Sequence, residues 1–177
     1  MLIRRALRDP LPTVRSEFQV SELTAEDLPA IAWSGSPTHL AHVAHELRRA
    51  AVGEVAYLAV RDQQGSPVAI GLVDFVRRAD GPEIRQLATR PDLQGMGLGS
   101  LLIAEAESRI ASSLRRWAVI GVEQENARAR RLYERLGYEA YERETDSWTA
   151  ERADGSTYTH TASVVLMRKW LGAQRRR

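Results

Sequence analysis

The sequence contains no cysteine in its 177 residues. Disulfide frameworks, thiolate metal sites and a covalent cysteine intermediate are therefore excluded, and any group transfer must use another nucleophile or none. No run of about 18 apolar residues occurs, and "MLIRRALRDPLPTVR" lacks the apolar centre of a secretory signal. The sequence thus predicts a cytoplasmic protein with no membrane partner and no bound metal.

Lysine is nearly absent, since Lys169 is the only one and every other strongly basic residue is arginine. The formal net charge is +2 and the sequence pI is about 9.3, which raises the question of nucleic-acid binding. A protein that follows a phosphate backbone usually gathers its cations on one face. Here acids alternate with arginines in "RRLYER", "ERETD" and "AEAESR", so no nucleic-acid partner is expected.

The length of the chain fits one domain that buries its own core. Residues 1–16 carry two prolines and little periodicity, and they are interpreted as an N-terminal extension. Residues 17–171 are predicted to form the single domain, and residues 172–177 a basic tail.

Hydrophobic periodicity predicts antiparallel strands first and strand-helix alternation later. Strands are expected at 18–23, 54–60, 68–76, 83–89 and 117–122, with a last hairpin of 138–148 and 158–169 that turns around Asp154-Gly155. Helices are expected after a capping box at Thr24, from Pro37 to residue 50, at about 97–114 and at about 126–136. This order predicts a mixed α/β sheet with helices on both faces.

A glycine-rich loop precedes the third helix in "RPDLQGMGLGS", with Gly95, Gly97 and Gly99 at alternate positions. Glycine in a helix costs roughly 1 kcal/mol against alanine, but it leaves helix N–H groups open to an approaching phosphate. A tight turn without a ligand is the simpler alternative. A dinucleotide fingerprint is disfavoured, because the spacing is not Gly-x-Gly-x-x-Gly and the loop comes late in the chain.

A second signal lies in "NARARRLYERLGY", where Asn126 and Tyr133 are seven residues apart and fall nearly in line along a helix. Taken alone, Asn126 is a good N-cap and Tyr133 a half-buried core tyrosine. Together the two signals read Gln94-x-x-Gly97-x-Gly99, a strand, then Asn-x-x-Ala-x-x-Leu-Tyr-x-x-x-Gly-Tyr. This arrangement resembles the acetyl-CoA-dependent N-acetyltransferases of the GNAT superfamily, specifically over residues 83–138 and by architecture elsewhere.

The resemblance implies a mostly antiparallel central sheet that splays between the two strands that hold the cofactor. It implies that loop amides hold the coenzyme A pyrophosphate, that the backbone at 87–89 pairs with pantetheine, and that Asn126 contacts the cofactor across the splay. Tyr133 matches the family's tyrosine near the sulfur and is the expected general acid. The residues so assigned to acetyl-CoA are Leu87, Ala88, Thr89, Gln94, Gly95, Met96, Gly97, Leu98, Gly99, Ser100, Asn126 and Tyr133.

Transfer of an acetyl group to a primary amine needs a base, because most amines are protonated at neutral pH. Glu83 lies eleven residues before Gln94, as the catalytic glutamate does in the histone-acetylating branch; a surface carboxylate at a strand start is the alternative. In the branch that acetylates ribosomal-protein N-termini, a glutamate sits five residues before the capping asparagine, and here that position is Gly121. With no cysteine in the chain, direct transfer in a ternary complex is expected.

Strict alternation along the strand 83–89 sets which side chains share a face with Glu83. It predicts one face with Glu83, Arg85, Leu87 and Thr89, and another with Ile84, Gln86 and Ala88.

The acceptor pocket is expected between the first helices and the last hairpin, with Trp33, His39 and Trp148 as binding residues. Asp74, Glu144 and Asp146 would favour a cationic amine, and the acceptor stays open among small molecules, antibiotics, protein N-termini and lysine side chains. A non-catalytic acyl-CoA sensor or interaction module on the same fold is the alternative function, although retention of Asn126 and Tyr133 favours an enzyme. A monomer or a homodimer is expected.

Overall fold

The computed structural model describes residues 17–172, so the predicted extension at 1–16 and the tail beyond Gly172 lie outside the described residues. Its sheet has seven strands in the order β1-β2-β3-β4-β5-β7-β6. The strands are β1 (Gln19–Glu22), β2 (Val55–Arg61), β3 (Pro67–Asp74), β4 (Glu83–Thr89), β5 (Trp117–Glu123), β6 (Glu139–Glu151) and β7 (Thr157–Trp170). Of the described neighbours only β4 and β5 are parallel, which confirms the mixed, mostly antiparallel sheet.

Helices cover both faces of this sheet, as predicted. They are a 3-10 helix (Ala25–Ser34), α1 (Pro37–Ala51), α2 (Leu98–Ser112) and α3 (Ala127–Arg135). Along β2, Leu58 and Val60 pack with α2 and α3, whereas Tyr57 and Ala59 pack with the 3-10 helix and α1. We call these the α2 face and the α1 face. Each face therefore has its own apolar core, which follows from the period of two along a strand.

The helix starts follow from capping side chains in the sequence. The Thr24 backbone N–H donates to Asp27 Oδ2 at 2.8 Å, which confirms the capping box, although the helix that follows is of the 3-10 type. Ser36 Oγ accepts from the His39 N–H at 3.3 Å before Pro37, and Asn126 Oδ1 accepts from the Ala129 N–H at 3.1 Å. These caps satisfy backbone donors that a helix start leaves unpaired, so they fix where each helix begins.

The predicted strict alternation along β4 is wrong beyond Arg85. Leu72 of β3 pairs with Arg85 and Ile70 pairs with Ala88, so one β3 residue, Gly71, faces two residues of β4. This β-bulge includes Gln86, whose φ is 54°. Because the bulge adds one residue, Glu83, Arg85, Gln86 and Ala88 lie on the α1 face, and Ile84, Leu87 and Thr89 lie on the α2 face.

The sheet splays between β4 and β5, as the resemblance implied. The register between them has only two pairs among the described residues, Glu83 with Val119 and Ile84 with Ile120. Beyond Ile84 the two strands part, and the β5-facing edge of β4 is free for another partner.

The last hairpin is longer than predicted and reaches the first α-helix. Its turn places Gly155 at φ 82°, and the Gly155 N–H donates to the Arg152 carbonyl at 2.9 Å. At the far end of β6, Glu151 Oε2 accepts from the Thr38 N–H at 3.1 Å. A contact between the hairpin and the start of α1 therefore closes the α1 face at its outer edge. Within residues 17–172, none of the helices has the length and apolar character needed to cross a bilayer.

Candidate active site

A cleft of about 440 Å³ opens where β4 and β5 part, between β4 and the helices α2 and α3. Every residue that the resemblance assigned to acetyl-CoA lines this cleft except Met96, whose side chain points outward and is 41% exposed. The structure thus brings together segments that are about forty residues apart in the sequence. The lining consists of Leu87, Ala88, Thr89, Gln94, Gly95, Gly97, Leu98, Gly99, Ser100, Leu102, Ile103, Asn126, Arg128, Ala129, Leu132, Tyr133 and Arg135.

The glycine loop forms one end of the cleft with backbone conformations that other residues rarely adopt. Gly95 has φ 87° and Gly97 has φ 86°, and a Cβ added at either would meet no heavy atom within 4 Å. Packing therefore does not require glycine at these two positions. The left-handed backbone conformation favours glycine, and the missing side chains leave the surface of the loop open. Gly97 is the N-cap of α2 and supplies no capping side chain. The first-turn N–H groups of α2 are accordingly free to bind an anion, and the site fits a phosphate.

Two arginines of the cleft are absent from the residues assigned from the sequence. Arg128 and Arg135 of α3 both line the cleft, and Arg128 Nη1 donates to Gln94 Oε1 at 3.3 Å. The link joins α3 to the glycine loop and places a cation beside the uncapped end of α2. The sequence feature that could have indicated Arg128 is the Asn-x-Arg start of α3, because it places an arginine in the first turn of a helix that lines the cleft.

Tyr133 lies at the base of the cleft with 7% of its surface exposed. Burial raises the pKa of its hydroxyl to about 12, so the group holds its proton throughout the physiological range. Its ring lies 6.3 Å from that of Tyr138, which does not line the cleft. A protonated hydroxyl at this position is chemically suited to donate a proton to a departing thiolate.

Glu83 is not the surface carboxylate that was its alternative interpretation, because only 6% of it is exposed. It lies on the α1 face in the first of the two parallel pairs that precede the splay. Arg77 Nε is 2.8 Å from Glu83 Oε2, but the contact is not an aligned hydrogen bond. The arginine therefore offsets the negative charge of Oε2, and this oxygen has no hydrogen-bond donor among the described residues. Burial raises the pKa of Glu83, and the positive charges of Arg77, Arg85 and Arg78 oppose that rise.

The three acidic residues expected to favour a cationic amine are all paired with arginine. Asp74 accepts from Arg49 Nη1 at 2.9 Å and from two backbone N–H groups. Glu144 accepts two hydrogen bonds from Arg78, at 3.0 and 3.1 Å. Asp146 accepts from Arg77 Nη2 at 3.1 Å. None of the three therefore offers an unpaired negative charge to an acceptor.

None of the three predicted acceptor residues lines the cofactor cleft. Trp33 donates its indole N–H to the Pro67 carbonyl at 3.2 Å. His39 Nε2 lies 3.1 Å from Ser34 Oγ, and burial lowers the pKa of its ring. Trp148 is 39% exposed on β6 and packs against His160, with ring centroids 4.6 Å apart and the ring planes tilted by 47°.

Comparisons with known proteins agree with this description. The model of the FR47-like protein family matches residues 66–149. The ribosomal-protein-S18-alanine N-acetyltransferase of Escherichia coli has a similar structure, with a TM-score of 0.61 and 19% identity over 90% of this chain and 99% of that one. Comparison with curated protein sequences gives no match.

Two further solved structures have the same fold. The spermidine/spermine N-acetyltransferase of Vibrio cholerae has a TM-score of 0.63 and 18% identity, over 89% of this chain and 95% of that one. The PaiA N-acetyltransferase of Thermoplasma acidophilum, solved with coenzyme A, has a TM-score of 0.62 and 14% identity, over 86% and 98%. The family-model match includes β4, the glycine loop and α3, and the solved structures share the fold, so both agree with the resemblance to the GNAT superfamily that the sequence motif carries.

Proposed function

We propose that the chain is an N-acetyltransferase that moves an acetyl group from acetyl-CoA to a primary amine within a ternary complex. One observation carries the proposal: the uncapped helix end, the free edge of β4 and the Tyr133 side chain line a single cleft. Each matches one part of a coenzyme A thioester, namely pyrophosphate, pantetheine and sulfur. The acetyl-CoA supplies an activated acetyl group on a good leaving group.

In this proposal the glycine loop and the start of α2 bind the pyrophosphate through backbone N–H groups. Arg128, which contacts Gln94 of the loop, adds positive charge at this end, and Arg135 lines the same cleft from the other end of α3. The cleft edge at 87–89 has no β5 partner, so its backbone is available to pair with the amide groups of pantetheine. The coenzyme is thereby held along its length, which positions its reactive end at the splay.

Glu83 and Tyr133 divide the two proton transfers. Glu83 takes a proton from the acceptor amine on the α1 face, directly or through water, and its raised pKa makes it a better base than an ordinary carboxylate. Tyr133 provides a proton to the sulfur from the α2 face, where burial keeps the hydroxyl protonated. A base and an acid on opposite sides of the splay suit a reaction that takes up one proton and delivers another.

The relatives act on different amines, by their names an alanine of a ribosomal protein and the polyamine spermidine. The alternative of a coenzyme A sensor without turnover is separated from an enzyme by a thiol-release assay with acetyl-CoA and a broad amine panel. We expect amine-dependent release of coenzyme A together with mass-spectrometric detection of the acetylated amine. Tight acetyl-CoA binding without release for every amine would support the sensor.

A further inference from the structure

The charges of the α1 face are nearly all compensated within the protein. Arg77 pairs with Glu83 and Asp146, and Arg78 pairs with Glu144. On α1, Arg49 binds Asp74, Glu46 and Glu54 at 2.8 to 2.9 Å. Because these carboxylates already have arginine partners, a cationic acceptor would have to displace a guanidinium to bind them.

Arg85 is the exception on this face of β4. It is half-buried, it pairs across the strand with Leu72 on the α1 face, and it makes no hydrogen bond or ion pair with any described residue. Its charge lowers the pKa of His42, in addition to the larger effect of burial, so the guanidinium lies near α1. Its guanidinium nitrogens are not among the buried unpaired side-chain atoms of the described residues, so its N–H donors remain accessible to a ligand as well as to water.

The polar groups around Arg85 are engaged elsewhere. Glu46 accepts from Arg49 at 2.8 Å and lies 3.4 Å from His42 Nε2. Gln86, placed on the same face by the bulge, accepts from the Tyr57 hydroxyl at 2.9 Å. Arg85 thus lies on the same face of β4 as Glu83, and no described residue provides it with a hydrogen-bond acceptor.

We propose that Arg85 binds an anionic group on the acceptor, so that the substrate is a primary amine that carries a carboxylate or a phosphate. This inference rests on the proposed function. Arg85 and Glu83 are two residues apart on one face, roughly 7 Å along the strand. An amine that reaches Glu83 through water can therefore place a nearby anion on Arg85, as an α-amino acid does. A guanidinium pairs with a planar carboxylate through two parallel hydrogen bonds, which gives this contact orientation as well as charge.

The test compares acceptors that differ only in the anion. Initial rates of acetyl-CoA-dependent acetylation are measured for α-amino acids, for their α-amides, for 1-aminoalkylphosphonates and for spermidine. We expect kcat/KM for the preferred anionic acceptors to exceed that for the matched amides by at least tenfold, equivalent to about 1.4 kcal/mol. Comparison of the phosphonates with the amino acids shows whether the preferred anion is a phosphate-like group or a carboxylate. A higher kcat/KM for spermidine or for the amides than for every anionic acceptor would overturn the proposal.

Arg85→Gln should remove this preference through a higher KM for anionic acceptors, while the KM for acetyl-CoA stays unchanged. Because Arg85 also opposes the rise in the pKa of Glu83, any change in kcat should be the same for anionic and neutral acceptors. Arg85→Lys should keep part of it, since a point charge without the planar fork remains. Arg143→Gln is the matched control, because Arg143 is exposed on β6 opposite Val165 of the α2 face. Equal losses for anionic and neutral acceptors in Arg85→Gln would show a structural role and overturn the proposal.

A binding measurement distinguishes this inference from the proposed function. Calorimetric titration of the preferred amino acid into the protein saturated with coenzyme A requires no turnover. Binding that Arg85→Gln abolishes and Arg143→Gln preserves supports the anion subsite even where no thiol is released, in which case the proposed function alone fails. Absence of both binding and turnover for all anionic amines overturns the subsite.

Discussion

The Glu83 carboxylate lies against Gly121 of the adjacent strand, with Oε1 3.6 Å from the point that a Cβ at residue 121 would occupy. Position 121 is where the resemblance to the ribosomal-protein branch would put a catalytic glutamate. In this chain the neighbouring strand provides a carboxylate to the same space, and the missing side chain at 121 leaves room for it. This relationship supports the proposal that Glu83 is the base.

The first prediction concerns the base. Glu83→Gln should lower kcat/KM at neutral pH by roughly 10²-fold, since the amide cannot accept a proton. Burial raises the pKa of Glu83, so the acidic limb of the wild-type pH profile should lie above the ordinary value of 4.5 and should be absent in the variant. The measurement is kcat/KM from pH 4 to 9.

Asp146→Asn is the control for that experiment, because it removes the other carboxylate partner of Arg77 and leaves Glu83 in place. It should retain the acidic limb.

A double variant, Glu83→Ala with Gly121→Glu, should recover part of the rate. The new Cβ at residue 121 lies 3.1 Å from Val164 Cγ1, so this rescue requires a small movement of Val164. If Glu83→Gln kept the full rate and the acidic limb of its pH profile did not move, the general base would instead be assigned to Glu123, which lies 3.8 Å from His160.

The second prediction tests the anion site at the glycine loop. Gly97→Asp should weaken acetyl-CoA binding at least tenfold, about 1.4 kcal/mol, because it places a negative charge at the end of α2 where the phosphate binds. Gly65→Asp is matched to it, since Gly65 has φ 79° and equally open space but lies in the β2–β3 turn. Calorimetry should show loss of affinity only at Gly97, and equal affinities in two folded variants would contradict the phosphate site.

The third prediction assigns the acid. Tyr133→Phe should reduce turnover roughly 10²-fold with little change in acetyl-CoA affinity, because the ring still packs and only the proton is lost. Tyr138→Phe is the control, since this buried neighbour lies outside the cleft. Single-turnover rates and calorimetric affinities separate the two effects. Intact turnover in Tyr133→Phe would mean that water or another group protonates the sulfur.

The fourth prediction concerns stability. Arg61 donates to both carboxylate oxygens of Asp27 at 2.8 Å and lowers the pKa of Asp27 from 3.8 to about 2. A lowered folded-state pKa stabilises the protein above the unfolded value, and this contribution is lost as the pH falls from about 4 to 2. Asp27→Asn should therefore cost about 2 kcal/mol at neutral pH, and the difference from wild type should shrink below pH 4.

Chemical denaturation at several pH values measures this difference. Asp92→Asn is the comparison, because Asp92 pairs with Arg90 on the surface and its side chain is 61% exposed. It should change the free energy of unfolding little at any pH. A cost for Asp27→Asn that did not depend on pH would show that packing, and not the ion pair, stabilises the 3-10 helix.

The sequence by itself determined the helices and strands and the cofactor side of the candidate site. Capping residues such as Asn126 and the glycines of the loop act through neighbours a few residues away, so their structures follow from local pattern. The resemblance carried by the motif from Gln94 to Tyr133 then implied which residues would hold the cofactor, and all of them except Met96 line one cleft. Their roles in binding and catalysis stay predictions.

The tertiary structure decided the acceptor side. The bulge at Gln86 reversed the expected face of Leu87, because pairing with β3 and not strand periodicity sets the register. The burial of Glu83 and the pairing of Asp146 with Arg77 join residues from different strands and a loop, and no local pattern encodes them. The charge on this face depends on side chains that are distant in sequence. The acidic residues alone therefore suggested a cation site, whereas within residues 17–172 they pair with arginines and Arg85 has no partner.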